Sequence, residues 1–154
     1  MTENPKHKRT LGWREALSIP SLGVEEIIAK VDTGARTSAI HAFFVEPFTA
    51  ADGCDWVRFG LHPLRKEQQP ELIVEAQIKD RRQVSDSGGH TEERYVIEAA
   101  LNIGDETVIA EITLTDRESM AYRMLLGRTA LRGRFIVDPD LSYACSTPRL
   151  HPND

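Results

Sequence analysis

Ile27-Ile28-Ala29-Lys30-Val31-Asp32-Thr33-Gly34-Ala35 decides how this chain is read. An apolar, β-branched run ends on a carboxylate and opens into a turn of small residues, Arg36-Thr37-Ser38-Ala39. The run predicts a buried strand, and Gly34 predicts that the backbone closes tightly just after Asp32. An Asp that merely caps a turn would also suit Asp-x-Gly, but that reading explains less well why the triplet follows a fully apolar strand.

Outward from that stretch, strand signals recur with short breaks. Leu11–Pro20 reads as a strand stopped by proline, Val24–Val31 as a second, and Ala39–Val45 as a third, bounded by Pro47. Trp56–His62 and Leu72–Ile78 alternate apolar and polar residues, so each should bury one face. Arg94–Asn102 and Thr107–Thr115 flank Ile103-Gly104-Asp105-Glu106, a hairpin signal. Met124–Leu126 is a short buried strand, Arg128–Arg132 one helical turn stopped by Gly133, and Phe135–Val137 a last strand. The pattern predicts an all-β fold, a small closed β-barrel with one short helix. It covers residues 10–147, with loose tails at 1–9 and 148–154.

The bulk properties set limits. The chain has 154 residues, 40% of them hydrophobic and 28% charged, which suits a single globular domain. A net charge of −5 gives no electrostatic argument for nucleic acid or an anionic membrane as partner. No apolar stretch is long enough to span a bilayer as a helix, and the polar Met1–Thr10 segment is unlike a signal peptide. Cys54 and Cys145 form no CxxC, so the expectation is a cytoplasmic protein with reduced thiols.

Met124-Leu125-Leu126-Gly127-Arg128, then Thr129-Ala130-Leu131, supply a second motif. An apolar-apolar-Gly-Arg strand end followed by one helical turn, downstream of Asp-Thr-Gly-Ala, resembles retropepsin-type aspartic peptidases. There the glycine lets a strand pass close to the catalytic loop, where a Cβ would collide. Arg81 to Val96, with Ser87-Gly88-Gly89 at its tip, reads as a hairpin of the kind those enzymes close over substrate. An ordinary exposed hairpin would look the same in sequence. A chymotrypsin-like reading of Asp86-Ser87-Gly88-Gly89 and His41 fails on length, because 154 residues cannot build two barrels.

The run from Ala29 to Ala42 resembles, more narrowly, the opening signature of the bacterial family labelled ATP-dependent zinc protease. Val57-Arg58-Phe59, Arg81-Arg82, Glu93-Arg94, Thr113 to Arg117 and Met124 to Arg128 continue the match across residues 10 to 143. The resemblance implies a retropepsin-like barrel with Asp32 activating water. It also implies an association with ATP-grasp glutamate ligases of the ribosomal-protein-modifying type, and a peptide or poly-glutamate-type substrate. The residues support neither word of the label. His7, His41, His62, His90 and His151 form no HExxH or HxH, and no GxxxxGK[ST] loop is present, so no metal and no cofactor is expected.

One Asp-Thr-Gly per chain is half a site, which predicts a homodimer with two Asp32 carboxylates facing across a two-fold axis. Like charges that close share one proton. The candidate catalytic residues are Asp32, Thr33, to hold the pair coplanar, and Gly34, whose N–H orients the carboxylate. The candidate substrate-binding residues are Ala35, Arg36, Ser87, Gly88, Gly89, Leu126, Gly127 and Arg128. Two other functions stay open: a non-catalytic binding module for a peptide or a glutamate ligase, and a metal-dependent hydrolase.

Overall fold

The computed structural model describes residues 7–85, 88–117 and 120–152. Twelve strands are present among them: β1 Arg9–Leu11, β2 Arg14–Ile19, β3 Val24–Asp32, β4 Ser38–His41, β5 Phe44–Thr49, β6 Asp55–Leu61, β7 Leu72–Gln77, β8 Asp80–Ser85, β9 Thr91–Ile103, β10 Glu106–Thr115, β11 Met124–Gly127 and β12 Phe135–Val137. One short helix, α1 (Arg128–Leu131), and one 3₁₀ turn, Pro20–Leu22, complete the set. No helix among the described residues is long and apolar enough to cross a membrane.

The main sheet closes on itself. Its order is β10-β4-β11-β3-β2-β9, and β9 pairs back onto β10. Closure removes the open edges that an isolated sheet would leave. The hairpin between β9 and β10 turns at Gly104, with φ of 61°. Ile103 pairs with Glu106, so the connection is the two-residue kind in which a glycine takes positive φ. The all-β fold with one short helix is therefore as the sequence indicates.

β3 lies between β2 and β11 and buries Val24, Ile27, Ile28 and Ala29, which explains its continuous apolar run. Leu11, Ile40, Phe59, Leu101, Ile112 and Met124 bring six further strands to the same core. A separate three-stranded sheet, β5-β6-β7, covers one side of the ring. Pro47 sits in β5, an edge strand of this sheet, where a missing N–H costs no ladder bond on the open side.

Several sequence expectations are corrected. Leu11–Pro20 is not one strand. It breaks at Gly12-Trp13, where the Trp13 N–H donates to the Leu141 carbonyl at 2.8 Å and a Cβ on Gly12 would lie 2.4 Å from that same oxygen. Ala39–Val45 likewise divides between β4 and β5 as the chain leaves the ring for the outer sheet. Arg9, assigned to a loose tail, belongs to β1 and pairs with Phe135 of β12.

Arg149, Leu150 and His151, expected in a loose tail, are docked onto β3. Two buried carboxylates gather polar groups from residues 144–151. Glu15 on β2 accepts hydrogen bonds from the N–H groups of Gly12, Ala144, Cys145 and Ser146 and from the Ser146 hydroxyl, at 2.6 to 3.2 Å. Glu26 on β3 accepts from the N–H groups of Arg149 and Leu150, both at 2.7 Å, and lies 2.8 Å from His151 Nδ1.

Burial pushes the Glu26 carboxyl up. The bonds from Arg149, His151 and Leu150 and the His151 charge outweigh it and hold the group below its ordinary value. A carboxyl so lowered contributes stability that is present above its unfolded value and disappears as pH falls through the folded one. The melting temperature should therefore decline on acidification below about pH 4, the ordinary Glu range. Glu26→Gln should flatten that decline, as read by thermal unfolding across the acid range.

Candidate active site

Asp32 is the last residue of β3, half-buried, and pairs in register with Gly127 of the parallel strand β11. The chain turns at once: the Ala35 N–H donates to the Asp32 carbonyl at 3.1 Å and the Gly34 N–H to Asp32 Oδ1 at 3.1 Å. A Cβ on Gly34 would lie 3.3 Å from that oxygen, so a side chain there would crowd the carboxylate.

The loop is clamped from behind by the β11–α1 junction. A Cβ on Gly127 would fall 2.5 Å from the Thr37 carbonyl carbon and 2.8 Å from Ser38 N, so only glycine fits without displacing backbone. The Gly127 N–H donates to Ser38 Oγ at 3.0 Å. The Arg128 and Thr129 N–H groups donate to the carbonyls of Ala35 and Arg36 at 2.9 and 3.1 Å. The Arg128 side chain reaches the carbonyls of Thr33 and Gly34 at 3.4 and 3.1 Å. The loop carrying Asp32 is thus fixed by backbone geometry on both flanks.

In front of the loop lies a cleft of about 830 Å³. Asp32, Gly34, Ala35 and Arg36 line one wall. The hairpin β8–β9 supplies the other through Arg82, Gln83, Val84, Ser85, Gly88 and Arg94. Asp32, Gly34, Ala35, Arg36 and Gly88 are therefore brought together. Thr33 is exposed beside them, and Gly89 follows at the hairpin tip with φ of 85°. Ser87 lies outside the described residues.

Leu126, Gly127 and Arg128, also expected at the substrate, do not line this cleft. Leu126 is fully buried in the core. Gly127 is buried, and Arg128 spends its guanidinium on the loop carbonyls. Both contact the loop that carries Asp32.

The sequence reading missed the arginines. Arg82, Arg94 and Arg117 join Arg36 in lining the cleft. Arg82 is matched by Glu111, which it meets in a two-pronged pair at 3.0 and 3.1 Å, and by Asp80 at 2.7 Å. The Arg82 hydrogen bonds hold the Glu111 carboxyl below its ordinary value. A signal was present: Arg94 occupies an inward position of β9, two residues before buried Val96, where an unpaired charge is rare.

A family model described as RimB-like, retropepsin-like aspartic endopeptidase RimB, matches residues 10–148. The chain belongs to the RimB-like family. Its curated relatives include proteins named "Probable alpha-L-glutamate ligase". The one from Shewanella pealeana is 44% identical over 137 residues, covering 89% of this chain and 30% of the relative. Its counterpart from Desulfotalea psychrophila is 40% identical, covering 89% and 29%. The chain thus spans less than a third of the length of these relatives. A crystal structure of a Legionella pneumophila protein of unknown function matches with a TM-score of 0.74 at 22% identity, covering 90% of this chain and 99% of that one, a likeness of fold.

Zinc, named in the label that the sequence resembles, does not fit this RimB-like cleft. Among the described residues no three His, Cys, Asp or Glu side chains converge as metal ligands. The other charged groups lining the cleft with Asp32 are the guanidiniums of Arg36, Arg82, Arg94 and Arg117, which cannot donate to a metal and repel a cation.

Proposed function

We propose that this chain is an aspartic amide hydrolase whose site is completed by a second copy, and that its cleft takes a glutamate-rich peptide or a poly-glutamate tail. The observation that carries the reading is the placement of Asp32. It stands on a loop held by Gly127 and Arg128, at the wall of a cleft whose other charged lining residues are Arg36, Arg82, Arg94 and Arg117.

In the dyad, one Asp32 is ionised and takes a proton from a water held between the two carboxylates. Its protonated twin donates to the scissile carbonyl oxygen. Water adds to give a gem-diol, the amide nitrogen is protonated, and the amine leaves. No covalent intermediate forms. The Gly34 N–H fixes one carboxylate oxygen in each copy, and the hairpin β8–β9 screens the reacting amide from bulk water. The arginines stabilise the approach of an acidic chain. Relatives named as glutamate ligases contain a segment like this chain, which suits an enzyme acting on the products of glutamate addition. Two free cysteines suit a reducing cytoplasm.

The experiment is hydrolysis of a glutamate-tailed protein by the purified chain, beside a neutral peptide of equal length. Release of glutamate from the tailed protein is expected, blocked by a pepstatin-type inhibitor and indifferent to chelators. Activity abolished by chelation and restored by zinc would assign the chemistry to a metal instead.

One feature favours a second reading, a binding module for a peptide or a ligase: a single chain carries one Asp-Thr-Gly. A strict monomer in solution that binds glutamate oligomers without cutting them would establish that reading.

A further inference from the structure

Arg82 and Arg94 stand directly opposite each other on the β8–β9 hairpin. Like charges across a strand pair repel, so such a pair needs compensation or a purpose. Arg82 is compensated in full by Glu111 and Asp80. Arg94 is not compensated to the same degree. Its side chain is only 8% exposed. Nε donates to Glu92, and Nη1 lies 3.4 Å from the Thr113 hydroxyl. Glu92 is shared, because the same oxygen accepts from Thr115 at 2.7 Å. A guanidinium stays charged and carries five donors, and among the described residues these bonds engage only two of its three nitrogens.

The cleft beside Asp32 does not end at Arg94. A side pocket of about 290 Å³ continues from it, lined by Val84, His90, Glu92, Arg94 and Arg117. Arg94 and Arg117 belong to both spaces. Arg94 therefore stands at the junction, desolvated and held in one orientation, where its attraction for an anion is screened least. Arg36, by contrast, is exposed to solvent.

We propose that Arg94 is the residue by which the cleft selects its substrate, its guanidinium pairing with a side-chain carboxylate of the bound chain next to the amide that faces Asp32. This rests on the reading of the cleft as a hydrolase site for acidic chains. Glu92 and Thr113 fix the fork so that it presents a planar pair of donors, which a carboxylate meets and a neutral amide does not. Arg82, already matched by carboxylates, shapes the wall and does little to discriminate.

The test separates binding from turnover. A glutamate oligomer and a glutamine oligomer of equal length are titrated calorimetrically into the Asp32→Asn protein. The glutamate oligomer should bind more tightly. Arg94→Gln in that background should weaken the glutamate oligomer about 10- to 100-fold and leave the glutamine oligomer within about twofold, a split that a merely structural role would not give. Arg94→Lys, which keeps the charge but not the fork, should weaken the glutamate oligomer about 3- to 10-fold, and it alone decides the matter if Arg94→Gln does not fold. Equal loss for both oligomers, no loss in either variant, or failure of the glutamate oligomer to bind at all would overturn the assignment. Turnover retained by Asp32→Asn would instead overturn the hydrolase reading, a separate failure with a separate readout.

Discussion

Asp32→Asn should remove hydrolysis by a factor of at least about 10²–10⁴, the usual worth of a positioned general base, while leaving the melting temperature and the solution mass unchanged. The substitution is nearly isosteric. An Asn oxygen still accepts the Gly34 N–H that now bonds Asp32 Oδ1 at 3.1 Å, and the register of β3 on β11 through Gly127 involves only backbone. What is lost is the ability to ionise and to take a proton from water. In a symmetric pair both halves lose it together. Parallel assays of turnover, thermal unfolding and sedimentation check the prediction. Undiminished turnover in the purified variant would remove Asp32 from the chemistry.

Gly127→Ala should come next in severity. The added methyl would sit 2.5 Å from the Thr37 carbonyl carbon and 2.8 Å from Ser38 N and Thr37 O, all backbone atoms. Relief requires β11 and the Asp32 loop to part, which strains the Arg128 and Thr129 hydrogen bonds to Ala35 and Arg36. Overpacking of this kind costs about 1–3 kcal/mol. At about 2–4 °C per kcal/mol for a chain of this size, the melting temperature should fall by roughly 2–12 °C. Turnover should suffer more, because a displacement of about 1 Å at a reacting group can cost about 100-fold. A variant that melts like the parent and keeps full turnover would show that the close approach of β11 is not needed.

The legible parts of the molecule were those set by local chemistry. The apolar run of β3, the Gly104 hairpin and the close approach at Gly127 each follow from residue size and φ preference within a few positions. The break at Gly12-Trp13 was not legible, because its cause is the carbonyl of Leu141, far along the chain. Docking of the C-terminal stretch depends on Glu15 and Glu26 gathering N–H groups more than a hundred residues away, and nothing near either carboxylate announces it. The arginine lining of the cleft was half-visible. Arg82 and Arg94 stand out by position in their strands, but their opposition exists only once β8 and β9 pair. The place of Leu126 was not legible either: strand alternation along β11 sets its side chain in the core with Met124.

The central claim is that two copies of Asp32 make one site. It is tested most directly by co-refolding parent and Asp32→Asn chains at fixed total concentration and measuring hydrolysis against the parent fraction. A shared dyad predicts activity that follows the square of that fraction, so an equimolar mixture retains about one quarter of the parent rate. Activity that follows the fraction linearly, about one half at equimolar mixing, would mean that each chain works alone and would contradict the account.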